Sequence, residues 1–221
     1  MSLLDLFFPR ICYGCKKPLY VHEYLLCDYC RFNLPVTNFH NTQNNEVEQI
    51  FYGRVYVEKA TSFIFFKKHS STQSLLHYLK YKGKSELAVY LGKIAGKELK
   101  LFYSDIDLII PVPLHPKKLK LRGYNQSEMI SKGLSRELQK PISTNNLIKK
   151  EHTETQTRKN KYSRYLNIKD KFDVINHIDI ENKHVLIVDD VLTTGATLES
   201  CISELLKYNV KVSVFTLGFA K

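Results

Sequence analysis

Apolar residues recur along this chain with two periods, and their alternation sets the expected architecture. In "SELAVYLGKIAGKELKLFY", Leu87, Leu91, Ile94, Ala95 and Leu99 share one face of a helix that Ser85 and Glu86 are placed to start. "STQSLLHYLKYKGK" reads as a helix before it. "NQSEMISKGLSREL" spaces Ile130, Leu134 and Leu138 four apart, and "ATLESCISELLKY" puts Leu198, Cys201, Ile202, Leu205 and Leu206 on one side. Between these helices lie the apolar runs "DIDLIIPVPL", "HVLIVDD" and "VKVSVFTLGF", which read as strands. "HVLIVDD" is apolar without interruption up to its aspartates, the pattern of a strand buried on both faces of a parallel sheet. Helices between such strands predict right-handed crossovers and a three-layer α/β domain.

The N-terminal half is less regular. "FYGRVYVEKATSFIFFKK" is dense in aromatic and β-branched residues, and its charged break at Glu58–Lys59 predicts a hairpin. "NFHNTQNNEVEQ" is polar and asparagine-rich and reads as a linker, which divides the chain into a small module, residues 1–45, and a main domain, residues 46–221. "NLIKKEHTETQTRKNKYSRYLNIKDKF", from Asn146 to Phe172, breaks the alternation further on. Long stretches without apolar periodicity inside a compact domain are typically lids, the alternative being an exposed linker.

Composition changes this picture in two ways. The chain carries 33 Lys and Arg against 22 Asp and Glu, a formal charge of +11, which implies attraction to phosphates of nucleic acid or of a nucleotide-like ligand, or else a solvated basic surface. A hydrophobic content of 43% argues against wholesale disorder. The longest apolar runs, Phe63 to Phe66 and Leu108 to Val112, are too short to cross a bilayer. The opening "MSLLDLFFPRICYGC" has Asp5 and no cleavage pattern, so a cytoplasmic location is expected, where thiols stay reduced.

That compartment bears on the cysteines. Cys12 and Cys15 in "CYGC" and Cys27 and Cys30 in "CDYC" form C-x2-C-x11-C-x2-C. Two residues between paired cysteines let both thiolates turn onto one ion, and two such knuckles complete a tetrahedral sulfur site for zinc. With all positions taken by thiolate, Zn2+ there is structural. A pair of disulfides is the alternative, disfavoured by a reducing compartment. Cys201, inside a helical pattern, reads as a small buried apolar residue.

The stretch "HVLIVDDVLTTGATLES" puts two like charges side by side in a basic protein. Asp189 and Asp190 fall toward the carboxyl end of a central strand, where open α/β sheets bind ligands. "LTTGAT" then turns into a helix whose free N–H groups, with the hydroxyls of Thr193, Thr194 and Thr197, suit a phosphate dianion. A sugar phosphate would use both halves, its hydroxyls on the aspartates and its phosphate in the turn. Mg2+ shared with the ligand would relieve the carboxylate repulsion.

The thirteen residues "VLIVDDVLTTGAT", Val185 to Thr197, closely resemble the phosphoribosyl-pyrophosphate (PRPP) signature of type I phosphoribosyltransferases. The resemblance implies a type I phosphoribosyltransferase-like domain, with Asp189 and Asp190 at the ribose hydroxyls as its catalytic carboxylates. It implies Thr193, Thr194, Gly195, Ala196 and Thr197 around the 5′-phosphate. A four-cysteine start, "YLKYKGK", "IIPVPLHPKKLKLRGYNQSE", "TQTRKNKYSRYLNIKDKF" and the signature, in that order, are similar over nearly the whole chain to the ComF family of competence-associated proteins. That similarity implies Arg122, Gly123, Tyr124, Asn125 and Gln126 at the pyrophosphate end, and a hood carrying Gln156, Arg158, Arg164 and Asn167. It also implies a part in moving incoming single-stranded DNA toward cytoplasmic partners, with peripheral association at the inner membrane through proteins of the uptake machinery.

The residues support a basic lid in their own right. Lys149, Lys150, Arg158, Lys159, Lys161 and Arg164 put six cations within sixteen residues, placed to stabilise a pyrophosphate leaving group or to track a nucleic-acid backbone. Tyr162 and Tyr165 could stack on bases. Lys117, Lys118, Lys120 and Arg122 add charge beside the pyrophosphate turn. Two functions follow: a DNA-handling protein with PRPP as ligand, or an active phosphoribosyltransferase with an unidentified acceptor. A protein–protein adaptor that keeps the fold without using PRPP is the third.

Overall fold

The computed structural model describes residues 9–66, 71–81, 83–150 and 172–220. The chain runs through α1 (Asp28–Phe32), α2 (Glu46–Gln49), β1 (Ala60–Phe66), α3 (Ser71–Tyr81), α4 (Ser85–Glu98), β2 (Leu108–Pro111) and α5 (Pro116–Arg122). It continues through α6 (Gln126–Leu138), β3 (Leu147–Lys149), β4 (Phe172–Val174), β5 (His184–Leu192), α7 (Ala196–Leu205) and β6 (Lys211–Ala220). Four strands pair in the order β1-β6-β5-β2, every pairing parallel.

Successive residues of β5 point to opposite faces, so one apolar run feeds two cores. Leu186 and Val188 pack with Leu75, Leu79, Leu87, Leu91, Ile130 and Leu134 of α3, α4 and α6. Val185 and Ile187 pack with Leu198, Cys201, Ile202 and Leu205 of α7 and with Leu147, Phe172 and Val174 of β3 and β4. The three-layer α/β expectation therefore holds, and Cys201 is buried as read. The helices α4 and α6 meet through glycines: a Cβ at Gly92 would lie 2.3 Å from Ile130 O, and one at Gly133 2.2 Å from Val89 O.

The hairpin expected across residues 51–68 is corrected. Only Ala60–Phe66 is a strand, and the preceding residues turn instead. The reason lies at the outer edge of β1, where Thr37 N donates to Phe63 O at 2.9 Å and Phe65 N to Pro35 O at 2.8 Å. Residues 35–37 already occupy the hydrogen-bonding groups that a second hairpin strand would need.

The asparagine-rich linker is corrected as well. Asn45 caps α2 by accepting from Val47 N at 3.0 Å and Glu48 N at 3.2 Å, while Glu48 Oε2 accepts from Asn45 N. Val47 and Phe51 are fully buried against the sheet. The cysteine segment shares a core with the main domain, since Cys12, Leu25 and Leu26 cluster with Phe63 and Ile64.

The polar stretch from Asn146 also differs from its reading at both ends. Leu147–Lys149 and Phe172–Val174 pair as an antiparallel ribbon with Leu147, Phe172 and Val174 buried. Gln156, Arg158, Lys159, Lys161, Tyr162, Arg164, Tyr165 and Asn167 lie outside the described residues.

Candidate functional site

The turn after β5 is built by a backbone conformation only glycine adopts readily. Gly195 has φ +76°, and a Cβ there would stand 2.6 Å from Ile50 Cγ2, so the bend rests directly on the residue following α2. Arg54 ties the same bend down: its Nη1 donates to Thr194 O at 3.0 Å and pairs with Glu199 at 3.7 Å. Gly195 at the N-cap offers α7 no side chain, Thr194 Oγ1 accepts from Ala196 N only at 3.5 Å, and the first N–H groups of the helix lack intrahelical partners by geometry. Asp189, Thr193, Thr194, Gly195, Ala196 and Thr197 line one hollow of about 40 Å3 at this point, large enough for a single compact group.

The acidic pair is not at the tip of the strand. β5 stays paired with β6 as far as Leu192, and the two carboxylates take different partners. Asp189 Oδ1 accepts from Ser127 Oγ at 2.9 Å and from Asp190 N at 2.8 Å. Asp190 Oδ2 lies 3.6 Å from Lys80 Nζ and does not line the hollow. Burial, and then the neighbouring Asp190, push the Asp189 carboxyl up to about 7, against the pull of the Asp190 N–H, Ser127 and Lys80.

The "RGYNQ" turn stands beside this pair. Gly123, at φ +80°, closes α5, and Asn125 caps α6 while its Nδ2 donates to Val112 O at 3.0 Å. Tyr124 Oη donates to Leu79 O at 2.6 Å. Arg122 Nη1 donates to Gln126 Oε1 at 2.9 Å. Gln126 is 2% exposed, and its Nε2 has no partner among the described residues. An orphaned buried donor next to a guanidinium suits a ligand oxygen. The turn reaches the acidic pair through Ser127, which follows Gln126 and holds Asp189.

Lys80, Ser127, Ile50 and Arg54 were given no role by the sequence, although Lys80 lies in "YLKYKGK" and Ser127 in "RGYNQSE". The capping pattern Asn45-x-x-Glu48 was a local signal that residues 45–51 fold, and it pointed toward Ile50. No local pattern assigned a role to the others. Lys117, Lys118 and Lys120 lie on the exposed face of α5. Lys150 pairs with Asp173 at 3.4 Å, and Lys149 lies over the Phe172 ring.

The phosphoribosyl transferase domain family matches residues 125–219, from the N-cap of α6 almost to the end of β6. Competence protein F of Haemophilus influenzae is 41% identical over 103 residues, which are 46% of this chain and 44% of that protein. The DNA utilization protein YhgH of Escherichia coli O157:H7 is 27% identical over 226 residues, covering 93% of this chain and 94% of that protein. The chain is thus similar over nearly its whole length to proteins named for competence and DNA utilization, and residues 125–219 match a phosphoribosyl transferase domain. The match to the Haemophilus relative spans less than half of that protein's length. A hypoxanthine phosphoribosyltransferase from Staphylococcus aureus matches at 23% identity and a TM-score of 0.37, over 60% of this chain and 63% of its own.

In the N-terminal segment, Cys12, Cys15, Cys27 and Cys30 place their sulfurs within 4.8 Å of one another, and all are free thiols. Cys15 Sγ and Cys27 Sγ are 3.7 Å apart. That is far beyond the roughly 2.05 Å of a disulfide, and matches the edge of about 3.8 Å that a tetrahedron of Zn–S bonds near 2.3 Å would have. Gly14 N and Cys27 N both donate to Cys12 Sγ at 3.3 Å. Burial alone would raise the Cys12 thiol, but these and the Cys15 N–H outweigh it and bring it down to about 7. The four thiols make a site suited to a metal ion such as zinc.

A wider groove, of about 780 Å3, lies between the cysteine segment and α4. Tyr24, Tyr90, Val89 and Ile94 supply its apolar surface, and Arg31, Lys93, Lys97 and Arg136 its cations, against Glu86 and Glu98. None of the described helices is long and apolar enough to cross a membrane.

Proposed function

We propose that this protein binds PRPP with Mg2+ and handles single-stranded DNA during natural transformation. The observation that carries the ligand half is the shared hollow: Asp189 and the Thr193–Thr197 bend line one small cavity. The 5′-phosphate sits in the bend, the ribose hydroxyls face the aspartates, and pyrophosphate lies toward Arg122, Gly123 and Gln126. Arg158 and Arg164, outside the described residues, are the further side chains this reading assigns to PRPP. Mg2+ brought in with the ligand would supply charge neutralisation for the pyrophosphate, near the Asp189 and Asp190 carboxylates. The four thiols hold Zn2+ in a structural role. The relatives named for competence and DNA utilization support the biological setting, with action in the cytoplasm, at the inner membrane through protein partners.

Titration with PRPP and Mg2+ will raise the melting temperature, by the equivalent of about 2.7 kcal/mol at a hundredfold excess over Kd. The combined Asp189→Ala and Asp190→Ala variant will show little of this shift. A wild-type melting curve indifferent to PRPP removes the ligand half of the reading.

The groove lined by Tyr24 and Tyr90, whose rings pack edge to face with centroids 5.9 Å apart, is the surface this reading assigns to single-stranded DNA, with bases against this aromatic pair and phosphates on Arg31, Lys93, Lys97 and Arg136. Four phosphate contacts predict that fluorescence anisotropy will show affinity falling about fiftyfold between about 50 and about 200 mM salt. Replacing Arg31 and Arg136 by alanine will reduce the salt slope by about 1.4. Binding that ignores salt, or is unaffected by the double variant, rules this surface out.

A second reading, an active phosphoribosyltransferase, is favoured by the position of Asp189 and Asp190 where a ribose carbon would become cationic as pyrophosphate departs. Release of pyrophosphate from PRPP in the presence of a panel of bases, faster than in the double aspartate variant, is its test.

A further inference from the structure

Asp190 is faced by a lysine from a distant part of the chain, on a helix held in register from behind. α3 buries Leu75 and Leu79, at 1% and 0% exposure, in the core shared with α4. One turn apart, these leucines set which side of the helix meets the sheet. The hydrogen bond from Tyr124 Oη to Leu79 O pins the last turn of α3 to the turn before α6. Lys80 leaves the helix about 100° round from Leu79. Its Nζ thereby comes within 3.6 Å of Asp190 Oδ2, with the two side chains 28% and 17% exposed. Asp189 meanwhile has its own donors in Ser127 and the Asp190 N–H. The repulsion within the acidic doublet is thus offset by a charge that the protein itself carries.

Resting on the phosphosugar reading above, we propose that Lys80 is the resident cation of this site: it balances the charge of Asp190 at the ribose end, so that ribose 5-phosphate binds without a divalent metal and Mg2+ is needed only for the pyrophosphate of PRPP. An ammonium at ion-pair distance offsets the repulsion between the adjacent carboxylates, leaving their oxygens to accept ribose hydroxyls. It has three donors, and its pairing with Asp190 needs only one. A divalent ion seated on Asp190 at the same time would meet a like charge at close range, so Lys80 and Mg2+ compete for that carboxylate.

Calorimetric titration of ribose 5-phosphate into wild type, Lys80→Met and Lys80→Arg, each in chelator and in excess Mg2+, tests this. Wild type should bind with affinities in the two buffers that agree within about threefold, and Lys80→Met about tenfold more weakly in chelator, a loss of about 1.4 kcal/mol. Mg2+ should restore much of the Lys80→Met affinity, and Lys80→Arg should behave as wild type. Melting curves in both buffers establish that each variant is folded. Unchanged affinity of Lys80→Met in chelator overturns the assignment, as does a wild type that itself loses about tenfold without Mg2+. Failure of ribose 5-phosphate to bind wild type in either buffer overturns the phosphosugar reading itself, and Lys80's role with it.

Discussion

Replacing Gly133 by alanine will lower the melting temperature by roughly 6–12 °C, the effect of about 3 kcal/mol of overpacking in a chain of this size. The added methyl carbon would stand 2.2 Å from Val89 O, 2.6 Å from Lys93 N and 2.8 Å from the carbonyl carbon of Gly92. All three atoms belong to the backbone of α4, so no rotamer change relieves the contact. The helices must part, and with them the leucine and isoleucine contacts that join Leu87 and Leu91 to Ile130 and Leu134. Because α6 begins at Gln126 and Ser127, the same displacement disturbs the donor that holds Asp189, and PRPP binding should weaken together with stability. Thermal melts by circular dichroism measure the first effect and calorimetry the second. Gly53→Ala is the control: nothing lies within 4 Å of its added carbon, and only the strain of φ +71° is incurred, about 1–2 kcal/mol. Equal melting temperatures for the two variants would mean that the helices yield without cost.

Stripping the proposed zinc ion with a chelator, or replacing Cys12 by serine, will unfold the cysteine segment and destabilise the domain behind it. Structural zinc binding in small peptides is worth about 10–16 kcal/mol, and a segment of this size has too little apolar burial to stand in for it. Cys12 is fully buried in the core that holds Leu25, Leu26, Phe63 and Ile64. The damage should spread along Pro35 and Thr37, whose backbone groups hydrogen-bond to the outer edge of β1. Hydrogen exchange should therefore show lost protection at residues 12–37 and in β1, with β5 and β6 less affected. Metal content measured by mass spectrometry before and after chelation ties the change to the ion. Unaltered exchange in protein shown to be metal-free would mean that packing alone holds the four thiols.

Much of the fold was legible because its signals are local. The unbroken run of β5 reports burial on both faces, and the four-residue spacing of Ile130, Leu134 and Leu138 reports one buried helix side. The misread stretch around residues 51–59 failed for a physical reason. Tyr52, Val55, Tyr56 and Val57 have strand-like side chains, but strand propensity measures fit to a partner, and the partner groups on β1 were already used by residues 35–37. The polar stretch at residues 38–49 failed the opposite way. Its asparagines hid a capped helix whose Val47, together with Phe51 just beyond it, fills the core below the bend.

By itself the sequence determined those features that need only neighbours along the chain. The aspartates and the threonine-glycine bend are a few residues apart, and the paired cysteines two residues apart, so short-range geometry brings each set together. Tertiary structure alone decided which groups complete them. Lys80 reaches Asp190, Ser127 reaches Asp189 and Arg54 reaches Thr194 across long separations in the chain. A solitary lysine, serine or arginine carries no periodicity to mark it, and its role arises only when packed helices carry it to the sheet edge.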